Sequence, residues 1–189
     1  MDKKQARQIV REQKLLLSKL DCIDKARNVF SQLESLDVFV SAKRVLVYNS
    51  LPDELSTREF IARWYTKKSL FLPRVNGDDL EVLPYVPNEI KSGSFKIDEP
   101  TGCDIVDIAT IDLIVVPAVA LDRKCNRVGR GKGFYDRLLR YAHAPKIGVC
   151  YGFQLFDEVD VEPHDIPLDV VISPSQVIIN KHSSLLKTS

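Results

Sequence analysis

The chain has 189 residues, enough to bury a core without metal or disulfide staples. Apolar residues make up 44% and charged residues 28%, which excludes disordered, collagen-like and coiled-coil compositions. With 27 basic and 26 acidic side chains, the net charge of +1 excludes a global field for nucleic acid or membrane and leaves only local patches to consider.

The N-terminal Met-Asp-Lys-Lys-Gln has no apolar signal core behind it, and the first 37 residues read as helical. Ala6, Ile9, Val10, Gln13, Leu16, Leu17 and Leu20 trace one face at helical spacing. A second helix is expected from about Asp24 to Leu36, with Val29, Phe30, Leu33 and Leu36 inward. Arg44–Tyr48 is a β-type run, and Ser56-Thr-Arg-Glu59 has the capping-box pattern that opens a helix through Ile61, Trp64 and Tyr65. Ser69–Val75 reads as a strand, Asn76-Gly77-Asp78 as a turn, and Leu80–Val86 as the returning hairpin partner. Residues 87–102, rich in Pro, Gly and Ser, read as a loop.

Asp112–Pro117 is the strongest strand, a continuous apolar run of the kind buried on both faces of a parallel sheet. The longest apolar run, Leu113–Leu121, contains Pro117 and is too short to span a bilayer. A glycine-rich turn then opens a helix that continues to Tyr141. Lys146–Cys150, Asp169–Ile172 and Gln176–Ile179 finish the sheet. Helices alternating with apolar strands predict an α/β fold: one three-layer domain over residues 1–189, its N-terminal helical segment (about 1–37) packed on it. Cys22, Cys103, Cys125 and Cys150 form no C-x-x-C pair, so a reducing compartment is expected and the thiols read as packing residues. A cytoplasmic protein is the expectation.

Of the eight glycines, Gly129, Gly131 and Gly133 fall within five residues, interleaved with Arg130 and Lys132. Glycine lets a ligand approach the main chain closely, and the following helix would offer unpaired N–H groups to phosphate. The pattern is neither a Walker motif nor G-x-G-x-x-G, and a flexible turn with solvated cations is the competing reading. Residues 123–140 carry seven basic side chains with Phe134 and Tyr135 among them, the ingredients of nucleic-acid binding. The near-neutral charge favours instead an amphipathic helix with Leu138, Leu139 and Tyr141 in the core. No zinc-type histidine pair and no Gly-x-Ser-x-Gly elbow occur; His143 and His164 read as ordinary loop residues.

Arg127-Val-Gly-Arg-Gly-Lys-Gly-Phe-Tyr-Asp136, with its lead-in Val116–Asp122, resembles the signature of the 5-formyltetrahydrofolate cyclo-ligase (methenyltetrahydrofolate synthetase) family. The resemblance also takes in Lys3…Arg7, Tyr48–Thr57, Leu72-Pro73-Arg74, Gly93–Pro100 and His164–Asp169, in the family's order. It implies a Rossmann-like three-layer fold, a largely parallel central sheet with helices on both faces. The implied reaction is ATP- and magnesium-dependent cyclisation of 5-formyltetrahydrofolate to 5,10-methenyltetrahydrofolate, through a phosphorylated formyl oxygen. The expected partner is that small molecule, with or without a polyglutamate tail, and not nucleic acid or membrane. A monomer is expected.

Carried over residue by residue, the resemblance gives ATP to Lys3, Lys4, Gln5, Ala6 and Arg7 and to Arg127, Val128, Gly129, Arg130, Gly131, Lys132, Gly133, Phe134 and Tyr135. Arg130 and Lys132 are the candidates for stabilising the transferring phosphoryl group. The folate falls to Glu54, Phe95 and the stretch Arg130, Gly131, Lys132, Gly133, Phe134, and magnesium to Asp136 and Asp169. Arg74 and Tyr151 are weaker pocket candidates, and Asn49 stands where relatives are often apolar. The rival readings are another ATP-dependent phosphotransferase or ligase on the same site, and a non-catalytic nucleotide- or RNA-binding protein.

Overall fold

The computed structural model describes residues 1–93 and 97–187. The strands run in chain order as β1 (Arg44–Val47), β2 (Ser69–Asn76), β3 (Asp79–Pro84), β4 (Ile90–Ser92), β5 (Asp98–Pro100) and β6 (Leu113–Val116). They continue as β7 (Ala120–Asp122), β8 (Arg127–Val128), β9 (Lys146–Val149), β10 (Leu155–Phe156), β11 (Val170–Ser173) and β12 (Gln176–Ile179). The helices are α1 (Lys3–Lys14), α2 (Lys19–Glu34), α3 (Asp37–Ser41), α4 (Arg58–Trp64) and α5 (Phe134–Leu139).

The main sheet has the order β12-β11-β9-β6-β1-β2-β3. Its five inner strands are parallel, and the two hairpin returns β3 and β12 close its edges in antiparallel pairing. Period-two alternation sorts the side chains. Val45, Val47, Leu113 and Val115 pack with Phe30, Phe39 and Phe60 in one layer, while Leu46, Ile114, Val116 and Val171 pack with Leu121, Leu139 and Leu168 in the other. The expected three-layer fold with a largely parallel central sheet is what forms.

The chain leaves β1 toward β2 on one side, then returns to place β6 on the other side of β1. That reversal is a topological switch point, where α/β sheets open a ligand crevice beyond the carboxyl ends of their strands. Here those ends are Tyr48-Asn49 and Pro117-Ala118.

Three local expectations are corrected. The first helix stops at Lys14, so Leu16 and Leu20 lie exposed in and just after a break that Ser18 ends by capping α2. Helix α1 packs by Ala6 and Val10 on a small second sheet, β10-β7-β8, whose strands are too short to show in the sequence pattern. The Ser56–Glu59 capping box does not form: the Thr57 hydroxyl donates to the Tyr48 carbonyl at 2.8 Å, and Glu59 pairs with Arg27. The 87–102 segment contains the β4–β5 hairpin. Cys125 and Cys150 are buried, and burial pushes their thiols up to about 11 and about 12, in keeping with packing rather than nucleophilic roles. Among the described residues no helix is long and apolar enough to cross a membrane.

Candidate active site

A cleft of about 1110 Å³ opens at the switch point. It lies at the upper end of the usual size of small-molecule pockets. One wall is the loop joining β8 to α5. Gly131 and Gly133 adopt positive φ of 96° and 69°, conformations open to glycine at little cost, and they turn the loop so that Arg130 and Lys132 stand at the cleft. Helix α5 has only six residues, so its dipole is a minor contributor and the formal cations carry the positive charge.

Helix α1 closes the same end. Asp2 caps it by accepting the Lys4 and Gln5 N–H groups, and Arg7 Nε donates to the Gly129 carbonyl at 2.9 Å, tying helix to loop. Residues four apart share a helix face, so Lys3 and Arg7 reach the cleft together, with Lys4 at its edge. The same geometry turns Gln5 and Ala6 away. Ala6 packs with Val10, Ala120, Val128 and Val159, which also accounts for Val128, and the Gln5 side chain lies outside the cleft wall. The structure thus brings Lys3, Lys4 and Arg7 to the glycine loop and leaves Gln5, Ala6 and Val128 out.

Lys3 Nζ is held at 2.5 Å from Glu162 and 2.6 Å from Asp165. Burial would raise the Asp165 carboxyl, but the Lys3 ammonium and the Glu162 N–H outweigh it and hold the group below its ordinary range. Across the cleft, Arg130 Nη2 reaches Asp53 at 2.7 Å and Glu54 at 3.1 Å. The other Glu54 oxygen accepts the Leu51 N–H at 3.0 Å. Glu54 therefore faces the cleft with one oxygen fixed by backbone and one shared with Arg130. Tyr135 lines the site beneath the Arg127 guanidinium; burial, with the Glu54 charge adding to it, pushes its phenol well above the ordinary range. Asn49 lines the cleft and donates to the Asp98 carbonyl.

Asp136 sits in the first turn of α5, where Arg127 Nη2 donates to its Oδ2 at 3.0 Å. These side chains are 14% and 5% exposed. Asp136 Oδ1 is buried and has no hydrogen-bond partner among the described residues. An orphaned carboxylate oxygen beside a cationic loop is a donor that a hard divalent cation would satisfy, so Asp136 fits a magnesium ligand. Asp169 does not join it. It lies at the start of β11, at the amino end of the parallel strands, whereas the cleft lies at their carboxyl ends, roughly 13 Å away along four strand residues. Both its oxygens are used: Oδ2 accepts the Lys146 N–H at 2.8 Å and Oδ1 the Ser183 hydroxyl at 2.7 Å.

Phe95 lies outside the described residues. Arg74 is a strut, paired with Glu81 and donating to the Pro100 and Gly102 carbonyls. Tyr151 is buried beneath the cleft, its hydroxyl toward the Glu54 carbonyl. Several cleft residues escape sequence reasoning, three acids among them. Glu99, buried with one oxygen on the Val75 N–H, sits inside a Gly93–Pro100 segment that otherwise reads as loop. Glu162 and Asp165 flank His164, and only Asp165 carries a signal, as the other acid of the His164–Asp169 motif.

A family model described as the 5-formyltetrahydrofolate cyclo-ligase family matches residues 1–174. The chain belongs to that family. It is accordingly an enzyme of the cyclo-ligase class. It is 35% identical over 149 residues to the 5-formyltetrahydrofolate cyclo-ligase of Escherichia coli K12, covering 73% of this chain and 81% of that one. A probable 5-formyltetrahydrofolate cyclo-ligase of Schizosaccharomyces pombe is 30% identical over 174 residues, covering 81% and 85%. The solved structure of Aquifex aeolicus 5,10-methenyltetrahydrofolate synthetase superposes with a TM-score of 0.87 at 32% identity, covering 96% of this chain and 94% of that one. The Mycoplasma pneumoniae synthetase, at 23% identity and a TM-score of 0.73, shares the fold.

Proposed function

We propose that this cyclo-ligase-family enzyme converts 5-formyltetrahydrofolate and ATP into 5,10-methenyltetrahydrofolate, ADP and phosphate. The observation that carries the reading is a cleft whose one end is built from Lys3, Arg7, Arg130 and Lys132 around the glycine loop. An N-formyl amide is a poor electrophile because the nitrogen lone pair is delocalised into its carbonyl, and its oxygen is a poor leaving group. The formyl oxygen attacks the terminal phosphorus of ATP, ADP leaves, and an imidate phosphate forms. Nitrogen 10 then attacks the formyl carbon, and loss of phosphate leaves the cyclic amidinium.

Phosphoryl transfer of this kind needs positioning and charge neutralisation rather than a covalent nucleophile. Lys3 and Arg7 would anchor the polyphosphate, and Lys132 would neutralise the charge that builds on the transferring group. Arg130, half exposed, would turn from Glu54 to phosphate and release a carboxylate oxygen for ring N–H donors of the folate. A magnesium ion would supply charge neutralisation for the polyphosphate, and Asp136 is the residue here that would hold it. A cytoplasmic monomer belongs to the same reading.

The test is turnover of purified protein with 5-formyltetrahydrofolate, ATP and magnesium, following methenyl chromophore and ADP together. Coupled, equimolar formation of both is expected. ADP without methenyl product, or neither product from folded protein, would overturn the assignment.

A further inference from the structure

Lys3, like Arg130, is a cleft cation already paired with two carboxylates. Its side chain is 17% exposed, and its two partners differ sharply. Asp165 is 12% exposed and fixed: the oxygen that receives Lys3 also accepts the Glu162 N–H at 2.7 Å. Glu162 is 56% exposed, and among the described residues its carboxylate meets, besides Lys3, a 3.7 Å approach of His164 Nε2. An ammonium has three protons and a long flexible stem, so one rigid partner can aim it while another contact is exchanged. A phosphate oxygen offers what the Glu162 carboxylate offers, an anionic acceptor, and Glu162 lies at the cleft with Lys3 and Arg7.

We propose that Glu162 and Asp165 do opposite jobs on Lys3: Asp165 is a positioning residue that aims the ammonium into the cleft, and Glu162 is a built-in stand-in for phosphate that ATP must displace. The inference rests on the reading of Lys3 as a polyphosphate contact. Glu162 occupies the lysine while the nucleotide is absent, giving the half-buried ammonium a second anion beside Asp165, and it yields because its own side chain loses little on returning to water. The exchange balances charge, one anion leaving as another arrives.

The two acids should therefore respond with opposite signs. Glu162→Gln keeps the shape and removes the competing charge, so ATP should bind about two- to fivefold more tightly, the range an exposed ion pair supports. Asp165→Asn should raise the KM for ATP by about threefold to tenfold, with the KM for 5-formyltetrahydrofolate unchanged. Equilibrium binding of ATP and steady-state kinetics on the full-length protein read both. Lys3→Met is the control: if it leaves ATP affinity unchanged, Lys3 is no phosphate contact, and that reading and this proposal fall together. If Lys3→Met weakens ATP while Glu162→Gln weakens it too or leaves it unmoved, this proposal alone is overturned. Glu162 is exposed, so its variant keeps the test decisive even where Asp165→Asn fails to fold.

Discussion

The two rims of the parallel sheet handle carboxylates in opposite ways. At the amino rim, Asp112 precedes β6 and accepts the Lys43 and Arg44 N–H groups of neighbouring β1 at 2.9 and 2.8 Å. Asp169 precedes β11 and does the same for Lys146 of β9. Each closes the first ladder position of an adjacent strand with one oxygen, and Asp169 also takes the Ser183 hydroxyl at 2.7 Å and the Lys146 ammonium at 3.7 Å. At the carboxyl rim, Asp53, Glu54 and Glu162 are matched with side-chain cations that can be exchanged, Asp165 holds Lys3 in place, and Asp136 keeps an oxygen unpartnered among the described residues. Saturated carboxylates hold a sheet together; exchangeable or orphaned ones leave room for a ligand.

Substitutions at the two rims should separate activity from stability. The largest effect is expected for Lys132→Ala at the carboxyl rim, a loss in kcat of about 10²–10³-fold, the scale of removing one preorganised charge from a transition state. Its melting midpoint should stay within a few degrees of the parent; unchanged turnover with a collapsed melting curve would sink the assignment. Asp112→Ala at the amino rim should leave kcat alone and cost about 1 kcal/mol, seen as a melting midpoint about 2–4 °C lower.

A smaller effect is expected in acid. The Asp165 carboxyl is held below its ordinary value of 3.8 and Glu162 below its ordinary 4.5, so the stability they lend α1 is present above those values. It is lost as pH falls through the lowered folded-state values. Hydrogen exchange should show α1 amides losing protection below about pH 4 while the amides of β6 stay protected. Equal loss in both would mean that the acids do not latch the helix.

Much of this was legible in the chain. Apolar runs such as Leu113–Val116 announce a doubly buried parallel strand, and the Gly129–Gly133 cluster announces the positive-φ turn that stands at the cleft. The places that misled have physical causes. A motif names residue types but not the end of the sheet on which they fall, so Asp169 resembled a ligand while serving as a strand clasp. Helical spacing through Leu16 and Leu20 continued past a break that Ser18 imposes by capping the next helix. Ala6 and Val128 lay inside binding stretches, yet they pack with Val10 and Val159 while Arg7 and Arg127 beside them line the cleft. Glu162 and Asp165 owe their place to the docking of α1 more than 150 residues away in sequence, which no local pattern reports.

The most direct test of the rim partition is a comparison of Asp136→Asn with Asp169→Ala in one assay, with kcat expressed per folded molecule and melting followed alongside. Asp136→Asn should lose about 100-fold or more in kcat. Asp169→Ala should keep kcat within about threefold and lose about 1–3 kcal/mol of stability, since the Lys146 N–H and the Ser183 hydroxyl are left without their acceptor. An Asp169→Ala protein that melts like its parent but has lost turnover as completely as Asp136→Asn would contradict the account and put both carboxylates at one reaction centre.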